Sequence, residues 1–112
     1  MAVDWKNYEL VLEASDRKEC EVTGRDMGGT EEYTCPVCKL KENEPVPWEP
    51  SYGGYEAINV SFLRTDNEAV YLNIHSFYHS EKALKPGEDW ESGWWSFGTW
   101  DYHVRITLRK IL

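Results

Sequence analysis

The run Tyr102-His103-Val104-Arg105-Ile106-Thr107-Leu108 decides the fold. Tyr102, Val104, Ile106 and Leu108 fall at every second position, with His103, Arg105 and Thr107 between them and Arg109 continuing the polar set. In an extended chain successive side chains point to opposite faces. The pattern therefore puts four apolar groups on one surface and charged or hydroxylated groups on the other. A helix would scatter the same residues around its circumference. Residues 102–108 are expected to form a strand with one face in a core and the other in water.

The same period recurs upstream. Asn7 to Ala14 sets Tyr8, Leu10 and Leu12 against Glu9, Val11 and Glu13. Ser15-Asp16-Arg17-Lys18 has the composition of a turn, and Glu19 to Thr23, carrying Cys20, reads as a return arm that ends at Gly24. Arg25 to Thr30, with Gly28 and Gly29, reads as irregular, and order resumes from Glu31 to Lys41 as a second hairpin or knuckle. Farther on, Ile58, Val60 and Phe62 share one face of Tyr55–Leu63, and Val70, Leu72 and Ile74 share one face of Ala69–Phe77. These two segments read as an antiparallel hairpin joined through Arg64 to Glu68. Ser80 to Leu84 opens with a residue type that caps helices and is expected to make one helical turn before Pro86-Gly87 stops it.

Pro45, Pro47, Pro50, Gly53 and Gly54 remove backbone donors and helix compatibility too often for a helix or central strand between residues 42 and 54. The expectation is a mainly β protein, an antiparallel β-sandwich or partly open barrel of about six or seven strands. It is read as a single domain over 1–112. Within it, 1–44 is a cysteine-containing hairpin or knuckle lobe, 45–54 a Pro/Gly loop and 55–112 the main antiparallel sheet.

The 112 residues are 41% hydrophobic, 29% charged and 14% aromatic, with six Trp and seven Tyr, which is ample apolar area for one core. The first residues show no basic opening followed by an apolar run, and no window approaches the ~20 apolar residues of a membrane helix. A soluble, cytoplasmic protein is expected. The formal charge is -8, and residues 1–49 hold twelve acids against six bases, whereas residues 50–112 hold eight against six. That balance repels phosphate backbones and argues against direct nucleic-acid binding. It fits a larger basic protein as partner, although solubility alone also accounts for an acidic balance.

Cys35-Pro36-Val37-Cys38 places two thiols two residues apart, a spacing that lets both sulfurs reach one metal ion. An odd total of three cysteines without an export signal argues against a disulfide framework. Structural zinc held by Cys20, Cys35, Cys38 and a fourth ligand, for which His75 is the choice, is the expected metal site. His75 and His79 on one strand would stand roughly 13 Å apart at ~3.3 Å per residue, so at most one of them binds unless the chain turns helical there.

The stretch Thr34-Cys35-Pro36-Val37-Cys38-Lys39 resembles the active-site turn of glutaredoxins over about six residues. The resemblance implies a thiol-disulfide oxidoreductase with its first thiolate activated at a helix N-terminus. In that family the motif opens an amphipathic helix of a βαβ unit, whereas Lys39 to Pro50 here is polar and broken by proline.

Trp90, Trp94, Trp95, Phe97 and Trp100, with Gly93 and Gly98 among them, form the second unusual feature. Such rings suit a contact surface for a protein partner or for sugar faces, and equally a set of plugs at a core edge. Trp90, Trp94, Trp95 and Trp100 are the candidate partner-binding residues. No catalytic set emerges: His75 and His103 fall opposite the apolar faces, and neither a triad nor a phosphate-binding glycine loop is present.

The reading is a small acidic, non-enzymatic domain, zinc-stabilised, that docks on and modulates or inhibits a larger basic protein, by analogy with immunity proteins and phage-encoded anti-defence inhibitors. The alternatives are a carbohydrate- or small-ligand-binding β-sandwich using the Trp90–Trp100 cluster, and an oxidoreductase at Cys35 and Cys38. An unpaired sheet edge or a shared metal offers a route to a homodimer.

Overall fold

The computed structural model describes residues 3–19, 26–48, 58–75, 79–97 and 100–111. Nine strands run through them: β1 (Tyr8–Glu19), β2 (Asp26–Pro36), β3 (Glu44–Pro45), β4 (Asn59–Thr65), β5 (Val70–His75), β6 (His79–Leu84), β7 (Asp89–Glu91), β8 (Trp95–Phe97) and β9 (Trp100–Lys110). Single 3-10 turns at Trp5–Asn7 and Val37–Lys39 are the only helical elements among the described residues. The strands form two antiparallel sheets. One has the order β2-β1-β9-β7, with β8 also paired to β9, and the other has the order β3-β4-β5-β6. No barrel closes. This is the mainly β, sandwich-like architecture that the alternating segments predict.

The core lies between the inner faces of the two sheets. Tyr102, Val104, Ile106 and Leu108 of β9 are buried, as are Leu10, Leu12 and Ala14 of β1. They meet Val60 and Phe62 of β4, Val70, Leu72 and Ile74 of β5 and Leu84 of β6. The register explains why the faces coincide: Leu10 stands opposite Leu108, Leu12 opposite Ile106 and Ala14 opposite Val104. Val11, on the outward face, is also buried, at 2% exposure, because it stands between Thr34 of β2 and Thr107 of β9 in the middle of the sheet. The indole N–H of Trp5 donates to the Asp66 carbonyl at 2.8 Å and ties the start of the chain to the β4–β5 turn.

Several local expectations are overturned. Ser15 to Lys18 is not a turn; β1 continues to Glu19. Ser15, Asp16 and Arg17 each find ladder partners on both sides, in β2 and in β9, and two-sided pairing outweighs their turn propensity. Of the expected return arm, Glu19 belongs to β1, and Cys20 and the residues after it lie outside the described residues.

The glycine pair, read as irregular, belongs to β2. Gly28 has φ +131, and a Cβ there would lie 2.2 Å from the Asp16 carbonyl oxygen. Glycine here permits a close approach of two backbones instead of interrupting the strand.

His79 to Leu84 is a strand, not a helical turn: Ser80 to Leu84 pair in register with Ile74 to Val70. Edge pairing supplies five consecutive residues with ladder partners, more than one isolated helical turn offers. His75 and His79 stand directly opposite each other across the β5–β6 hairpin, so neither the single-strand nor the helical spacing of the two applies. The sheets also divide the chain differently from the lobe at 1–44 and main sheet at 55–112. The N-terminal hairpin shares its sheet with the C-terminal strand, and the middle of the chain forms the other sheet. Pro45 sits in the two-residue edge strand β3, where a missing backbone donor is tolerated.

Candidate functional site

The thiol pair spans the end of β2 and the 3-10 turn that follows it. Alternation along β2 turns Cys35 inward opposite Leu10, where it is buried, while Cys38 is exposed; both are free thiols. Burial pushes the Cys35 thiol above its ordinary pKa of 9.0, with the nearby Lys39 ammonium opposing and Cys38 adding to the rise. A nucleophilic thiolate asks for the opposite shift, and no helix follows Cys38 among the described residues to supply it. His75 lies at the end of β5 in the other sheet. Cys20 falls outside the described residues. Among the described residues no group of three or more His, Cys, Asp or Glu side chains is arranged to hold a metal ion.

The tryptophans do not share one surface. Trp90 of β7 stands opposite Ile106 and Trp95 of β8 opposite Tyr102, and both turn inward. With Trp100 they pack half-buried against the core. Trp94 precedes β8 and is turned out, 45% exposed. Its ring lies under the Arg17 guanidinium, 3.9 Å from centroid to Cζ, and 5.2 Å from the His103 ring. Arg17 and His103 both belong to the outward face of the five-stranded sheet, because they alternate with the buried residues of β1 and β9.

That outward face is acidic. Glu9 and Glu13 of β1, Glu32 of β2, Asp89 and Glu91 of β7 and Asp101 of β9 present six carboxylates against the three guanidiniums of Arg17, Arg105 and Arg109. Each arginine is already engaged. Arg109 donates to Glu9 at 2.6 Å and stands 3.9 Å from Glu32. Arg105 donates to Asp89 at 2.5 Å and stands 3.8 Å from Glu91. Arg17 lies 3.6 Å from Asp101. The hydrogen bonds that Arg105 and Arg109 donate to Asp89 and Glu9 push both guanidiniums further above their ordinary pKa and keep them charged. Glu13 is cross-strand neighbour to Glu32 on one side and Arg105 on the other. The face thus keeps a carboxylate surplus along its length with one exposed ring at its corner.

Asp16 is the functional candidate missed in the sequence. It continues the inward series Leu10, Leu12, Ala14 and is 6% exposed, the only buried charged residue among those described. Its Oδ1 accepts the Gly29 N–H at 2.8 Å, while Oδ2 finds no hydrogen-bond partner among the described residues. The signal was present as an acid in phase with an apolar face; reading 15–18 as a turn hid it. Compared with protein-family models, with curated proteins and with solved structures, the chain matches none.

Proposed function

We propose that the chain is a docking module whose acidic outer sheet face receives a larger basic protein and modulates it, with Trp94 as the anchoring ring. The observation that carries this is the composition of that face: six carboxylates, three arginines already paired with acids, and one tryptophan at 45% exposure. A surplus of one sign steers an oppositely charged partner during encounter, and a rigid aromatic ring supplies contact area at small entropic cost. The formal charge of -8 reinforces the same sign over the whole molecule.

The test is capture by the tagged chain from source-cell lysate, run in parallel with Trp94→Ala and with the Glu13→Lys/Glu32→Lys double variant. The expected outcome is a captured basic protein whose retention falls steeply between ~0.05 M and ~0.5 M salt, where the Debye length shrinks to a few ångströms. Trp94→Ala is expected to weaken it about tenfold or more, the scale of one anchoring residue. Capture that ignores salt, or that both variants leave unchanged, overturns the reading.

A further inference from the structure

The geometry points to a guanidinium site at the Asp16 end of the sandwich, and we propose that one arginine side chain of the basic partner occupies it. The inference rests on the docking reading above and adds to it a defined pocket and a defined chemical group. A cleft of about 360 Å³ opens between the ends of β1, β2 and β9, walled by Ala14, Asp16, Gly28, Gly29, Glu31 and Trp100. That volume is near the lower end of the ~300–1,000 Å³ of small-ligand pockets, room for one side chain and not for a folded surface.

The chemistry of the walls selects the occupant. Asp16 is 6% exposed and one of its oxygens, Oδ2, lacks a partner among the described residues. A buried carboxylate is held at high free-energy cost unless a cation or a charge-assisted donor meets it. Glu31 adds a second carboxylate; its Oε2 accepts the Tyr33 hydroxyl at 2.8 Å. No Lys, Arg or His lines the cleft among the described residues. Trp100 supplies an aromatic wall, and a planar guanidinium both stacks on such a ring and forks onto a carboxylate, which a compact ammonium does less well.

The chain uses the same pairing on the other side of the same strands. There a cleft of about 290 Å³ is lined by Asp16, Arg17, Gly28 and Trp94, and the resident Arg17 guanidinium lies over the Trp94 ring within 3.6 Å of Asp101. Carboxylate plus indole is thus satisfied by the chain's own arginine on the outer side. The inner side repeats the carboxylate and the indole without a guanidinium of its own among the described residues. The backbone builds the place: Gly28 at φ +131 lets β2 close on the Asp16 carbonyl, and the Gly29 N–H fixes the carboxylate through Oδ1 and leaves Oδ2 without a hydrogen-bond partner among the described residues.

The experiment is a titration of the 15N-labelled full chain with N-acetyl-arginine methylamide, with its neutral isostere N-acetyl-citrulline methylamide and with a methyl glucoside, read at the Gly29 amide and the Trp100 indole. The arginine amide is expected to shift both signals saturably, and the citrulline amide and the glucoside are expected to leave them in place. Asp16→Asn keeps an oxygen for the Gly29 N–H and removes the charge; it is expected to weaken the arginine amide about tenfold or more without lowering the melting temperature. Gly29→Leu fills the cleft from a position where an added Cβ meets nothing within 4 Å, and is expected to abolish the shifts in a folded protein. Equal shifts from citrulline or the glucoside, or no saturable shift at all, overturn the proposal. So does a drop in melting temperature in Asp16→Asn with arginine binding intact, which would leave Asp16 a purely structural residue. The two readings fail separately, because Trp94→Ala weakens partner capture on the outer face and leaves the arginine amide titration untouched.

Discussion

Gly28 and Asp66 show how single residues set the geometry of this sandwich. Replacing Gly28 by alanine forces a Cβ to 2.2 Å from a backbone oxygen at a φ that side chains avoid, so Gly28→Ala is expected to cost on the order of 1–3 kcal/mol in urea denaturation, while Gly29→Ala is close to neutral. Equal effects at the two positions would show that the approach of β2 to Asp16 carries no strain. At the β4–β5 turn, Asp66 accepts the Tyr71 hydroxyl at 2.6 Å and the backbone N–H groups of Glu68 and Ala69 at 2.8 and 2.9 Å. The tyrosine bond first, then the two amides, hold its carboxyl below the ordinary value of 3.8. A depressed folded pKa contributes stability above the unfolded pKa, and that contribution is lost as pH falls through the folded one. Asp66→Asn is therefore expected to melt lower than the natural chain at neutral pH, with the gap closing as pH falls below 3.8. A gap of constant size across that window would mean that the charge is not what the turn uses. The polar break from Arg64 to Glu68 was legible in the sequence as the connection of a hairpin; the buried carboxylate of Asp16 was not, since its burial depends on two flanking strands.

At the scale of elements, the period of two did most of the work. β9, β4 and β5 appear where alternation placed them, with Val104, Ile106, Val70, Leu72 and Ile74 fully buried. Truncating such groups removes transfer energy and leaves a void, so Ile106→Ala and Leu72→Ala are each expected to lose about 2–5 kcal/mol by chemical denaturation. Losses well under that range in both would mean that the sheets do not press together over these residues. Among the strands that escaped notice, β6 and the glycine-bearing start of β2 lack alternation of their own. Ser80 to Leu84 buries Leu84 and leaves Glu81, Lys82 and Ala83 exposed, so its extended form comes from hydrogen bonds to β5. Propensity for a strand of this kind is a property of its neighbour.

For the whole molecule, the decisive arrangement is the pairing of β1 with β9, which joins residues about as far apart in the chain as they can be: Glu9 pairs with Arg109, and their side chains make the 2.6 Å ion pair of the acidic face. The salt dependence expected of docking belongs at this scale, since steering is exerted by the summed charge and not by one contact. Local order by itself determined that segments 102–108, 59–63 and 70–75 are extended and which of their sides is apolar, because side-chain alternation is written residue by residue. Only the tertiary structure decided that the first and last strands share a sheet, that Trp94 alone of the six tryptophans is turned out to solvent, and that Asp16 is enclosed. Those outcomes depend on which strand lies beside which, and ladder pairing between distant segments is settled by the packing of the whole core, information that no window of the chain contains.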